Sequence, residues 1–163
     1  MKKQILLLAM LFFAIITFAQ EQKKLPAVPL KTIDGDEINT GNLGIKGPII
    51  ITFWASWCPT CKREMGTLND LYADWQEETG VTIVAVSVDD EKTKNNVAGM
   101  VNANDWEFLV LMDSNSDFKR AMGVSNTPHT FLINENGEIV YTRNNYAPGD
   151  EDLLYEALVK LKK

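Results

Sequence analysis

The chain has 163 residues, 45% of them hydrophobic, which suffices for one core; with a leader set aside it has the size of one domain of about 100–150 residues. Acidic residues outnumber basic ones by 22 to 16, a formal net charge of −6. No Lys/Arg cluster stands against that surplus, which repels phosphate backbones and excludes nucleic acid as a partner.

Lys2 and Lys3 precede an unbroken apolar run from Ile5 to Ile16, followed by Thr17-Phe18-Ala19-Gln20. A basic start, a short apolar run and small residues at Thr17 and Ala19 make a secretory signal peptide, cut after Ala19. Residues 1–19 are read as this leader and 20–163 as a single domain. The run is shorter than the span of about 20 residues that crosses a bilayer, so retention as an uncleaved anchor is the lesser alternative. No Cys follows the run closely, so lipid has no acceptor there. The mature part carries 14 basic and 22 acidic residues, a net charge of −8. Export would place it in the periplasm or on the extracytoplasmic face of the membrane, where disulfides form.

Beyond a polar entry segment, Leu30–Ile33 and Glu37–Asn39 flank Asp34-Gly35-Asp36, which predicts a β-hairpin. Ile49–Trp54 is β-branched and aromatic without polar alternation, the pattern of a strand buried on both faces. From Pro59 the period becomes helical, with Met65, Leu68, Leu71 or Tyr72, and Trp75 on one stripe until Thr79-Gly80. Cys58 then stands at the N-cap and Pro59 at the first helical position, where a missing N–H costs nothing. Val81–Val88 reads as a second buried strand, Lys92–Asn104 as a helix packing Val97, Met100 and Val101, Phe108–Leu111 as a third strand, and Phe118–Met122 as a short helix. Thr130–Ile133 and Glu138–Tyr141 bracket Asn134-Glu135-Asn136-Gly137, a closing hairpin. Asp150 is placed to cap a last helix with Leu153, Leu154, Ala157, Leu158 and Leu161 on its apolar stripe and Lys160, Lys162 and Lys163 at its negative end. Alternating strands and helices give parallel strands through right-handed crossovers, and the closing hairpin adds an antiparallel pair, so the class is α/β with a central mixed sheet flanked by helices.

The two cysteines, Cys58 and Cys61, are separated by Pro59-Thr60. As a structural staple the pair makes little sense, because loop entropy assigns about 2 kcal/mol to so short a ring against about 4.7 kcal/mol for a 100-residue loop. Disulfide exchange, by contrast, needs a thiolate and a second thiol close enough to release a trapped mixed disulfide. At a helix N-terminus, unpaired N–H groups and the macrodipole favour negative charge on Cys58. Lowering a thiol pKa from about 8.5 to about 7 raises the thiolate fraction at neutral pH from about 3% to about 50%. Cys61, one turn further in, is placed to attack Cys58 and should be the less exposed of the two. Zinc, the other use of a CxxC pair, wants about four ligands, and beside these cysteines the chain offers only His129.

Phe53-Trp54-Ala55-Ser56-Trp57-Cys58-Pro59-Thr60-Cys61-Lys62-Arg63-Glu64 and, some way on, Gly123-Val124-Ser125-Asn126-Thr127-Pro128-His129-Thr130-Phe131-Leu132-Ile133 resemble the TlpA/ResA-like branch of the thioredoxin superfamily. The resemblance covers essentially the whole mature chain. It implies a thioredoxin-like fold with an N-terminal β-hairpin and a helix inserted after the second core strand. It implies that Pro128 is a cis-proline beside the CxxC, turning the backbone of Thr127 outward as an edge for an extended substrate, and that Glu64 manages protons at the thiols. The plain alternatives are a trans-proline at a strand start and a solvated helix carboxylate. Trp57 is read as an apolar surface for the partner, Trp54 as packing. Thioredoxin itself has a buried Asp on the strand where this chain has Thr52, so any proton relay must run through Glu64, water or nothing. His129 stands where relatives carry Thr; beside the sulfurs an imidazolium would favour a thiolate, but a packed or half-exposed ring is the preferred reading. The acidic runs Asp89-Asp90-Glu91 and Asp150-Glu151-Asp152 are assigned to helix starts, with dipole and solubility roles.

The expected activity is thiol-disulfide exchange with exported proteins. The resemblance favours reduction, as in keeping cytochrome c precursors or other envelope thiols reduced, with electrons from a membrane protein. No cofactor beyond the redox-active disulfide, no metal and a monomer are expected. The alternatives are a disulfide-forming oxidant and a non-catalytic binding module. A peroxide-reducing enzyme would need a hydroxyl three residues before Cys58, where Ala55 stands.

Overall fold

The computed structural model describes residues 23–162, so the leader assigned to residues 1–19 lies outside the described residues. Among the described residues, seven strands and four helices follow one another as β1 (Pro29–Thr32), β2 (Glu37–Asn39), β3 (Ile49–Trp54), α1 (Pro59–Thr79), β4 (Thr82–Ser87), α2 (Asn95–Ala103), β5 (Leu109–Met112), α3 (Asp117–Ala121), β6 (His129–Ile133), β7 (Ile139–Asn144) and α4 (Asp150–Val159), with a closing 3-10 turn at Lys160–Lys162.

One sheet holds all seven strands in the order β2-β1-β5-β4-β3-β6-β7. β3, β4 and β5 run parallel, and β6 and β7 are antiparallel additions at one side. The N-terminal hairpin extends the other side, where Lys31 pairs with Met112 and Thr32 with Leu111. Every residue of the interior strand β3 is buried, because helices cover both faces. At the edge, β7 alternates half-buried and exposed positions.

Alternation along β3 divides the core. Ile50 and Trp54 face a cluster built with Met65, Leu68, Tyr72 and Trp75 of α1, Val97 and Val101 of α2, and Leu154 and Leu158 of α4. Ile49, Ile51 and Phe53 face a second cluster with Phe118 and Met122. Trp54 is fully buried and meets Trp106 edge-on at 5.3 Å, which supports its reading as packing. Gly80 ends α1 in the left-handed conformation (φ 71°) and donates its N–H to the Gln76 carbonyl at 2.8 Å, as a residue without Cβ does at little steric cost.

Three expectations need correction. α2 begins at Asn95 and not Lys92, because the Asp90 carboxylate draws the N–H groups of Lys92 and Thr93 into a turn at 2.9 and 3.2 Å. Asp89 starts no helix and is fully buried. The N-cap of α4 is Gly149, while the Asp150 carboxylate accepts from the Ala147 N–H at 2.7 Å outside the helix.

Candidate active site

Where β3 ends, the chain turns once and enters α1. Cys58 occupies the N-cap in an extended conformation, and Pro59 opens the helix. The cysteines are joined in a disulfide with their Cα atoms 5.3 Å apart. Cys58 Sγ accepts the Cys61 N–H at 3.2 Å, so an orphan donor of the helix start points at that sulfur. Cys61 is fully buried and Cys58 6% exposed, the order the sequence predicts.

Three further features surround the sulfurs. The Thr127–Pro128 peptide is cis, and the Thr127 carbonyl oxygen lies 3.8 Å from Cys58 Sγ. Trp57 is 61% exposed beside Cys58. The turn before Cys58 is braced from beneath: Asp89 accepts the Ser56 N–H at 2.8 Å, the Ser56 hydroxyl at 2.6 Å and the Ser87 hydroxyl at 2.8 Å. Solubility and dipole roles for Asp89 are thereby overturned, since its carboxylate is enclosed by donors.

Glu64, one turn past Cys61, is buried, which rules out a solvated helix carboxylate. Thr52 has the β3 parity of Ile50 and Trp54, and Thr130 pairs with it on β6. Thr52 donates to Glu64 Oε2 at 2.9 Å and Thr130 to Oε1 at 2.8 Å. The chain therefore delivers a buried carboxyl to this strand position from the helix. Arg143 of β7 reaches the same carboxyl, with Nη2 2.6 Å from Oε1. Burial pushes the Glu64 carboxyl above its ordinary 4.5, while the Thr130 hydroxyl, the Arg143 charge and the Thr52 hydroxyl pull it back.

His129 is half-buried, stacked on Phe131 with centroids 4.5 Å apart, with Nε2 3.0 Å from Thr142 Oγ1. Burial holds its imidazole below the usual 6.5, which favours the neutral, packed ring. Two residues that sequence reasoning missed, Arg143 and Asp89, carry much of the support. Arg143 had a signal, since it shares the inward parity of Tyr141 on β7; Asp89 had none.

Residues 22–142 match the AhpC/TSA family. The chain is 36% identical over 130 residues to the sporulation thiol-disulfide oxidoreductase A of Bacillus subtilis, covering 77% of each chain. It is 35% identical over 146 residues to the thiol-disulfide oxidoreductase ResA of Oceanobacillus iheyensis, covering 83% of this chain and 74% of that one. In three dimensions it is similar to a thioredoxin-like protein of Porphyromonas gingivalis, with 45% identity, a TM-score of 0.75, and coverage of 84% of this chain and 90% of the other.

Proposed function

The chain belongs to the thioredoxin-like AhpC/TSA family and is a thiol-disulfide oxidoreductase of the ResA type; from this premise we propose that it is an exported, monomeric reductase of protein disulfides in the cell envelope. The observation that carries the reading is the Cys61 N–H aimed at Cys58 Sγ from the first turn of α1. In the reduced protein the same donor and the helix N-terminus stabilise a Cys58 thiolate.

The reaction begins when the Cys58 thiolate attacks one sulfur of a substrate disulfide, forming a mixed disulfide and expelling the other substrate sulfur as a thiolate. Cys61 then gives its proton to Glu64 and attacks Cys58 Sγ. The Cys58–Cys61 disulfide forms, the second substrate sulfur leaves with its electron pair, and both substrate thiolates take up protons. The exposed face of Trp57 receives the partner, and the Thr127 backbone beside Pro128 offers it an extended edge. Glu64 suits its part because its pKa lies above that of an ordinary carboxylate and its donors fix its orientation. A membrane protein carrying a dithiol would return the electrons, and apocytochromes c are among the envelope thiols it could serve.

Insulin reduction by wild type and Cys58→Ser tests the catalytic reading: turnover should vanish in the variant, and equal turnover would leave only a binding module. The direction is read from the reduction potential against glutathione, and a value above about −150 mV sinks the reductase reading in favour of an oxidant.

A further inference from the structure

Glu64 is one end of a chain of charged groups that links α1, β7 and the start of α4. Arg143 enters from β7 with its side chain 12% exposed, Nη2 2.6 Å from Glu64 Oε1 and Nη1 2.6 Å from Asp150 Oδ2. Its guanidinium carbon lies 5.2 Å from the centre of the Tyr146 ring. Tyr146 is held in turn, its hydroxyl 3.0 Å from Glu151 Oε2 and 3.1 Å from Thr67 Oγ1. One partly buried cation is thus shared between a carboxylate one turn from the resolving cysteine and a second carboxylate at the start of α4.

We propose that Arg143 is a positioning residue for the redox centre, acting as the counter-ion that decides when Glu64 holds a proton, with Asp150 drawing off part of its charge. The inference rests on the reading that Glu64 serves Cys61 and adds what regulates it. The groups bonded to the Glu64 carboxyl are Thr52 of β3, Thr130 of β6 and Arg143 of β7; behind the guanidinium stand Asp150 of α4 and Tyr146 of the loop after β7, with Glu151 of α4 on the Tyr146 hydroxyl. Arg143 is the only cation among them, and it acts on the Glu64 carboxyl both through its charge and through its hydrogen bond. An opposite charge at this distance lowers a carboxyl pKa by about 1–3 units, and Asp150, on the far side of the same guanidinium, acts against that pull.

The test follows the side-chain carboxyl carbon of Glu64 by NMR against pH in the oxidised protein, where the disulfide does not titrate. Arg143→Gln should raise the Glu64 midpoint by about 1–3 pH units, and Arg143→Lys should restore only part of the wild-type value, because the charge returns but not the fork that spans Glu64 and Asp150. Asp150→Asn should lower the midpoint, since Arg143 then serves one carboxylate. A midpoint unmoved in Arg143→Gln overturns the proposal. Should that variant fail to fold, Asp150→Asn decides: a midpoint unmoved or raised has the same force. A second reading, the reduction potential against pH in the same variants, separates the two ideas. If the Glu64 midpoint moves as stated while the pH dependence of the potential stays that of wild type, Arg143 keeps its role and the proton-acceptor reading of Glu64 falls.

Discussion

Ser56 and Asp89, 33 residues apart in sequence, are bound at two points: the Ser56 N–H lies 2.8 Å from Asp89 Oδ2 and the Ser56 hydroxyl 2.6 Å from Oδ1. The contact ties the end of β4 to the turn that presents Cys58, and both residues are buried. A carboxylate removed here leaves a buried N–H without its partner, which costs about 1–3 kcal/mol. Asp89→Ala should lower the unfolding free energy in urea by that amount without changing the m-value. Asp89→Asn should do less, since its amide oxygen can still accept the Ser56 N–H. Equal midpoints for Asp89→Ala and wild type would show that the brace contributes nothing.

Cys61 is fully enclosed while Cys58 keeps a small opening, so only Cys58 should join a substrate. Cys61→Ser removes the group that would release it. In that variant mixed disulfides should accumulate on Cys58 and be visible as adducts by non-reducing electrophoresis and mass spectrometry. Cys58→Ser should accumulate none. Adducts attached through Cys61 would reverse the assignment of attacking and resolving sulfurs.

The elements were legible because each rests on local pattern: the Ile49–Trp54 run, the helical stripe from Met65 to Trp75, the Asp34-Gly35-Asp36 and Asn134–Gly137 turns. The site was legible in part for the same reason, since a CxxC between a buried strand and an amphipathic helix is a local signal. Glu64 lies on the stripe of Leu68 and Tyr72, so its burial could have been read from period alone. Arg143 and Glu64 are 79 residues apart, and parity along β7 marks Arg143 as inward but does not name its partner. Asp89 misled because an acidic residue just before a helical pattern is the usual sign of a helix start, while its actual partners are Ser56 and Ser87. That pairing depends on β3 and β4 lying side by side, with Trp54 opposite Ser87, which periodicity does not specify.

His129 gives the protein a pH dependence whose sign is fixed by burial. Its native pKa lies below 6.5, so in the window below 6.5 the unfolded chain binds more protons than the folded one. The contribution is full above 6.5 and is lost as pH falls through the depressed native value. Glu64 works in the opposite sense: its raised native pKa makes the folded state bind more protons above 4.5, so stability falls as pH rises there. The two effects overlap, and the informative quantity is the difference between wild type and His129→Gln. In urea unfolding across a pH series, the variant should lack the decline on acidification below 6.5. Identical curves for both proteins would mean that the ring titrates alike folded and unfolded.

Trp57 separates binding from folding because it is 61% exposed and so contributes little to the core. Surface substitutions of this kind usually change stability by no more than about 0.5 kcal/mol. Aromatic residues that dock into a partner behave differently: truncating one often costs more than about 1 kcal/mol of binding, and about 1.4 kcal/mol corresponds to tenfold in affinity. Trp57→Ala should therefore unfold at the wild-type urea concentration while its kcat/KM for insulin reduction falls about 5- to 30-fold, mostly through KM. Trp57→Phe should recover much of the loss, because a flat apolar face remains. The reaction of the reduced Cys58 with a small disulfide, which needs no docking surface, should be unchanged in both variants. A fall in that rate would place Trp57 in the chemistry of the sulfur itself, and full insulin turnover by Trp57→Ala would remove it from substrate recognition.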